Sequence, residues 1–371
     1  MYLSKLTLLN FKNYEQVCVE PGPGVNCFVG SNGVGKTNVL DAVHYLSLCK
    51  SFFHTPDTQN IRHDAPFFVI EGEYKVADAT EHLYCGVKRG SRKRFRRNKK
   101  DYERFSDHIG LFPLVMVSPF DSGLIWEGSE ERRRMMDEVI SQFDSDYLSQ
   151  LVAYNRVLAQ RNSLLKQWAD SGVPAYGVLE ALNEQLTLFG SKIFAVRTLF
   201  IKELLPVFHD FYSEISLQQE VPGLAYQSAL SETPLSALLR ASAAKDLALQ
   251  YTSTGVHRDD LLFTLGGYPL KRTGSQGQQK SFLTALKLAV FEFIKAKRGV
   301  APILLLDDIF DKFDQQRVER ILQLVSGDRF GQIFITDTHP ERMEQMLRSV
   351  STAFRLFDVA KNQITLSHAT Q

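Results

Sequence analysis

The residues best suited to chemistry in this chain are Gly30, Ser31, Asn32, Gly33, Val34, Gly35, Lys36 and Thr37, which match the pattern GxxxxGK[ST]. Glycines let successive backbone N–H groups turn toward one anion without a Cβ in the way. A helix starting at Lys36 adds the positive end of its dipole. The Lys36 ammonium can neutralise β- and γ-phosphates, and the Thr37 hydroxyl can ligate Mg2+. The segment therefore predicts ATP and Mg2+ as cofactors, with Lys36 catalytic. The other half of such a site is Ile303-Leu304-Leu305-Leu306-Asp307-Asp308. Four apolar residues in a row predict a strand buried on both faces of a parallel sheet. Acids at its carboxyl end lie where ligands meet such sheets. Asp307 is expected to hold Mg2+ and Asp308 to polarise the attacking water. Alone, the two would also read as solvated acids after a core strand; the phosphate loop decides for chemistry.

A third element, Gly274-Ser275-Gln276-Gly277-Gln278, enters a helix 32 residues before Asp307. A Ser-x-Gly-Gln turn at a helix start, just upstream of an acidic strand, is similar to the ABC-type signature. That likeness implies that Ser275, Gly277 and Gln278 act in trans, on ATP held by a second copy in a head-to-tail homodimer. Asp314 stands in the place of the D-loop aspartate at the dimer seam. Some positions depart from the ABC pattern. Asp308 replaces the usual glutamate, and its shorter reach favours a slow switch over rapid turnover. Ser118-Pro119-Phe120-Asp121 carries no Q-loop glutamine. Thr336-Asp337-Thr338 occupies the switch-histidine position and His339 comes two residues late, so Thr338 and His339 are secondary candidates for sensing the γ-phosphate.

These residues need an α/β frame. Strands are predicted at Leu3–Phe11, Asn26–Val29, Phe67–Tyr74, Leu83–Val87 and Leu114–Val117, and a helix with apolar positions Val39, Ala42, Val43 and Leu46 follows the glycine loop. From Glu130 the period becomes helical, through Ile140, Phe143, Tyr147, Leu151, Tyr154, Leu158 and Leu165. Asp170-Ser171-Gly172 with Pro174 stops that run, and a second continues through Leu179 to Leu204, so an antiparallel pair is expected. It reads either as a packing lobe or as a short coiled-coil-like arm. A polar linker is predicted near 228–244, then a helix at Gln278–Ile294 and strands at Pro302–Leu306 and Gln332–Thr336. The expected fold is an α/β head split in sequence by a helical insertion: residues 1–118, the helical lobe 119–250, and residues 251–371.

Composition fits a globular protein of 371 residues, 44% hydrophobic and 23% charged, with no apolar run long enough to span a membrane and no signal peptide, so a cytoplasmic location is expected. The cysteines Cys18, Cys27, Cys49 and Cys85 form no CxxC pair and read as free thiols. A net charge of +1 argues against wholesale attraction to nucleic acid. Between Lys88 and Arg104, however, ten basic residues face only two acids. Arg92, Lys93, Arg94, Arg96, Arg97, Lys99 and Lys100 are the candidates for DNA phosphates, with a solvated hairpin as the other reading. No base-reading motif is visible. His257, Arg258, Asp259 and Asp260 read as a structural ion-pair network ahead of the signature, with a metal or catalytic role as the other reading, and Arg132, Arg133 and Arg134 could serve nucleotide, DNA or a helix surface.

The opening NFKNY, the glycine loop, SEERRRMMD, HRDDL, SQGQQKS with the helix after it and LLLDD, in this order over essentially the whole chain, resemble the RecF family of bacterial recombination-mediator ATPases, akin to SMC-type heads. The resemblance implies an ATP-dependent homodimer that binds gapped DNA and single-strand/double-strand junctions, hydrolyses ATP slowly under DNA stimulation, and helps load recombinase with RecO and RecR. A transporter ATPase subunit, the alternative, fits poorly with a helical insertion of this size and no partner-coupling helix.

Overall fold

The computed structural model describes all residues except 172–175, 217–219, 311–314, 326, 328, 351–352 and 370–371. It divides into a sheet unit (Met1–Asp121, Phe211–Gln218 and Lys280–Gln371) and a helical unit (Ser122–Asp210 and Gln219–Gln279). This division and the sequence boundaries at 118 and 250 differ chiefly over residues 251–279, which carry the signature turn.

The sheet unit holds two six-stranded sheets. In one the order is Gln363–Ala369, Phe354–Ala360, Val25–Val29, Ile333–Asp337, Ile303–Asp307, Leu114–Val117. The last five run parallel, and Gln363–Ala369 is an antiparallel edge. The strands Val25–Val29, Ile303–Asp307 and Ile333–Asp337 are buried at every residue, as the mostly apolar strands inside a parallel sheet are. Their carboxyl ends put Val29, Asp307 and Asp337 at one edge.

The other sheet is antiparallel: Tyr14–Val19, Tyr2–Phe11, Phe67–Val76, Ala79–Lys88, Arg94–Arg97, Lys100–Asp101. Its inner face contributes Leu6, Leu8, Phe11, Phe68, Ile70 and Cys85 to the core, and a bulge between Leu3 and Lys5 keeps Leu3 on that face as well. The helix Lys36–Leu48 is buried on nearly all sides and shares one apolar cluster with residues of both sheets, among them Leu8, Ile70, Leu305 and Phe334. A helix with so little polar surface has to sit inside, and this one is thereby fixed at its amino end beside the strand carboxyl ends.

In the helical unit, Ser129–Ser141 precedes two long helices, Ser145–Ser171 and Tyr176–Ile215, the latter continuing into the sheet unit from Phe211. Tyr147 meets Arg197, Arg161 meets Asn183 and Trp168 meets Tyr176, so the two run antiparallel. Two elements differ from the sequence reading. The predicted polar linker holds the helix Leu235–Ala241 and runs into the helix Ala243–Leu249, the pair anchored by buried Leu235, Leu239 and Asp246. A small antiparallel sheet, Tyr268–Pro269, Asp260–Leu265, Pro222–Gln227, follows. The helix Gln276–Arg298 then begins in this unit and passes into the sheet unit at Lys280.

Candidate functional site

The glycine loop joins Val29 to the helix at Lys36. Gly30 has φ +155°, and a Cβ there would lie 2.3 Å from the Val359 carbonyl oxygen. Gly35 has φ +115°, and a Cβ would lie 2.4 Å from the Asn13 amide group. Neither position admits a side chain. The loop is braced from outside: Asn13 Nδ2 donates to the Val34 carbonyl at 2.7 Å, Asn38 Nδ2 to Asn13 Oδ1 at 2.6 Å, and the Tyr14 hydroxyl to the Gly35 carbonyl at 3.1 Å. In the sequence this Asn-Tyr pair stands only as the end of the NFKNY motif. Its role depends on the turn after the first strand, which carries no local phosphate signal.

Lys36 Nζ donates to the carbonyls of Gly30 at 2.7 Å and Ser31 at 3.0 Å. Burial pushes its pKa down, and Asp308, Asp337 and Asp307 oppose that shift. Thr37 Oγ1 donates to Asp307 Oδ1 at 2.8 Å. Thr336 Oγ1 donates to the same oxygen at 2.9 Å, and Ser118 Oγ stands 3.5 Å from Oδ2. Burial raises the Asp307 pKa, and the three hydroxyls act against it. Asp308 adopts φ +47° and its N–H donates to Thr336 Oγ1 at 2.9 Å. Asn32, Gly33, Lys36, Thr37, Asn38, Asp308 and Thr336 line an open cavity of about 180 Å3.

This donor set fits a nucleoside triphosphate with Mg2+. A Cβ at Gly33, φ +80°, would meet nothing within 4 Å, so the loop is open there to a ligand. One ammonium, a helix start and a hydroxyl beside a carboxylate suit phosphates and a cation that keeps several waters.

The secondary candidates stand apart from this arrangement. Asp337 is buried and accepts from the His339 N–H at 2.7 Å, while the Thr338 hydroxyl and His339 Nδ1 pair with each other at 2.9 Å on exposed side chains. In the segment that lacks a Q-loop glutamine, Asp121 caps the Ser118 N–H at 2.8 Å and pairs with Lys287 Nζ at 2.7 Å. Asp314 lies outside the described residues.

In the helical unit, Ser275 and Gln278 form a reciprocal cap: the Ser275 N–H donates to Gln278 Oε1 at 2.6 Å and the Gln278 N–H to Ser275 Oγ at 3.2 Å. Both residues, with Gly277, stand at the start of a 23-residue helix. The HRDD segment is a structural network. Arg132 holds Asp260 bidentately at 2.7 and 3.0 Å, and Arg133 donates to the Asp259 carbonyl at 2.6 Å. Buried Arg197 pairs with Asp137 at 2.7 Å and Asp259 at 3.6 Å. His257 is held by Tyr154 and the Thr252 carbonyl, and burial depresses its pKa to about 4.

The basic segment divides. Lys93 turns inward to Asp57 at 2.9 Å and the Cys49 carbonyl at 2.6 Å, Arg97 holds Glu81 bidentately, and Arg96 pairs with Asp101 at 2.9 Å. Arg92, Arg94, Lys99 and Lys100 are exposed. Arg94 also lies 3.8 Å from Asp101, so intramolecular carboxylates reach four of the seven candidates.

A family model described as the RecF/RecN/SMC N terminal domain matches residues 2–364. The DNA replication and repair protein RecF of Flavobacterium johnsoniae is 49% identical over 97% of this chain and all of its own length. The chain belongs to the RecF family. A structure of the recombination mediator protein RecF with ATP in the RecFOR pathway superposes with a TM-score of 0.90 at 29% identity, covering 99% of this chain and 98% of that one. The Smc head domain of Pyrococcus furiosus, at 16% identity and a TM-score of 0.58, shares the fold, covering 98% of this chain and 95% of its own. The head is therefore of the ABC type, and the insertion belongs to that architecture. Among the described residues no helix is long and apolar enough to cross a membrane.

Proposed function

We propose that this chain is an ATP-operated switch of recombinational DNA repair and replication. Two copies close head to tail around ATP, and the closed form binds gapped duplex at single-strand/double-strand junctions. The observation that carries the reading is the convergence on Asp307: the hydroxyl of the phosphate loop and the acidic strand meet through one hydrogen bond, beside a braced loop that admits no side chain at two of its glycines.

Lys36 and the loop hold the β- and γ-phosphates. Thr37 and Asp307 would hold a bound Mg2+, which would supply charge neutralisation at the phosphoryl group. Asp308 orients the attacking water. Ser275, Gly277 and Gln278 meet the γ-phosphate bound to the second copy, which makes the helix start they cap an anion site completed only in the dimer. A carboxylate one methylene shorter than glutamate favours slow, DNA-stimulated hydrolysis, so ATP times the DNA-bound state. The RecF names of the relatives support repair and replication as the setting. RecR, acting with RecO, and recombinase loading are the proposed downstream contacts, in the cytoplasm.

The test is gapped-duplex affinity measured with ATP, ADP and no nucleotide, at several salt concentrations. Tight binding only with ATP, falling steeply with salt, is expected. Equal affinity in all three states contradicts the switch.

A further inference from the structure

Thr336 is fully buried in the middle of the site, yet the ATPase chemistry described above gives it no task. It sits in the strand Ile333–Asp337, in parallel register with Asp307. A hydroxyl has one proton to give and lone pairs to receive, and both capacities are directed at the two acids. The proton goes to Asp307 Oδ1 at 2.9 Å, the oxygen that also takes Thr37. The oxygen receives the Asp308 N–H at 2.9 Å. Asp308 holds φ +47°, a left-handed conformation that residues with a side chain avoid unless their surroundings impose it. That turn ends the strand and places Asp308 at the cavity with Lys36 and Thr37. The β-branched Thr336 side chain is itself stiff about χ1, which makes it a fixed post rather than a swinging contact.

We propose that Thr336 is the positioning residue of the hydrolytic centre: one hydroxyl fixes the orientation of the Asp307 carboxylate and locks the backbone turn that aims Asp308. It touches the acids and acts through them. The inference rests on the ATPase reading of the site and adds a residue to it. Two consequences separate this role from ordinary packing. The phosphate loop does not depend on Thr336, so nucleotide binding without metal stays intact when the hydroxyl is removed. The gain in ATP affinity on adding Mg2+, which requires an oriented Asp307, and the hydrolytic step, which requires an aimed Asp308, both fail.

The experiment compares the full-length protein with Thr336→Val and Thr336→Ser, and with Lys36→Ala as control. Readouts are ATP affinity with EDTA, ATP affinity with Mg2+, steady-state hydrolysis on gapped DNA, and thermal unfolding. For Thr336→Val the expectation is EDTA affinity within about threefold of wild type, a smaller Mg2+ enhancement, and kcat lower by about 10²-fold, the scale of a misplaced reacting group. Thr336→Ser should recover most of the lost kcat. The proposal is overturned if Thr336→Val keeps kcat within about twofold while Lys36→Ala abolishes it. It is also overturned if Thr336→Val unfolds or loses EDTA affinity and Thr336→Ser does the same, since that is a packing role. If the wild type itself fails to hydrolyse ATP, the underlying ATPase reading falls instead.

Discussion

Thr37 Oγ1 and Asp307 Oδ1 are 2.8 Å apart in space and 270 residues apart in sequence. The bond joins the start of the phosphate-loop helix to the end of a fully buried strand. Because Asp307 lies in a nearly closed setting, its charge raises the energy of the folded protein, and burial shifts its pKa upward. A carboxyl raised in the folded state makes that state bind protons more readily, so this group's unfavourable contribution is present at neutral pH and fades as pH falls through the folded pKa.

Asp307→Asn should therefore raise the stability of the nucleotide-free protein at pH 7, while hydrolysis is lost. The Asn carbonyl still accepts from Thr37 and Thr336, and its NH2 takes the place of Oδ2 facing the Ser118 hydroxyl oxygen, which can accept from it. Thermal unfolding at pH 7 and pH 5 checks this: the gain should shrink at the lower pH. Destabilisation at both would show that the carboxylate charge is not a cost.

The brace around the glycine loop makes a separate prediction. Asn13 holds Val34 and Asn38, so Asn13→Ala should weaken ATP binding by roughly fivefold to tenfold, the worth of about one hydrogen bond. The fold should persist. Calorimetric titration with ATP reads the change, and unaltered affinity would remove Asn13 from the loop's support.

Arg161 and Asp246 form a fully buried ion pair at 2.8 Å that ties a long helix to Ala243–Leu249. Removing one partner strands the other charge. Arg161→Met alone should cost about 3–5 kcal/mol. The double variant Arg161→Met with Asp246→Leu should recover much of that loss, measured by denaturant unfolding. A double variant as unstable as the sum of the two singles would show that the pair is not coupled.

For the basic segment, the structure separates two kinds of residue. Replacing exposed Arg92, Lys99 and Lys100 by Glu should weaken gapped-DNA binding and flatten its salt dependence, with little effect on melting temperature. Lys93→Ala should do the reverse, lowering stability through the loss of Asp57 and Cys49 as partners while leaving the salt slope intact. Fluorescence anisotropy across a salt series, with thermal melts alongside, distinguishes them.

Much of the head was legible because its signals are local. The glycine loop is eight consecutive residues, and Leu114–Val117 and Ile303–Asp307 are compact apolar runs. What escaped depends on pairing at a distance. Asn13 braces a loop that begins well after it, and Thr336 serves acids on the neighbouring strand; neither carries a pattern in its own neighbourhood. The helices at Leu235–Ala241 and Ala243–Leu249 read as linker because the polar stretch Ser228–Pro234 runs straight into two short segments broken at Ser242, and only Leu235, Leu239 and the partners of Asp246 reveal that they pack. In the basic segment the one-dimensional charge count could not tell that Lys93, Arg96 and Arg97 meet carboxylates brought close by strand pairing and the preceding turn.

The composite site closed by a second copy is tested most directly by complementation. Ser275→Arg keeps an intact phosphate loop and a broken signature, and Lys36→Ala the opposite, so each alone should be inactive on gapped DNA. An equimolar mixture forms heterodimers with one complete site, and ATP hydrolysis should reappear on mixing. A mixture as silent as its two components, or full activity of Ser275→Arg alone, would contradict a site shared between copies.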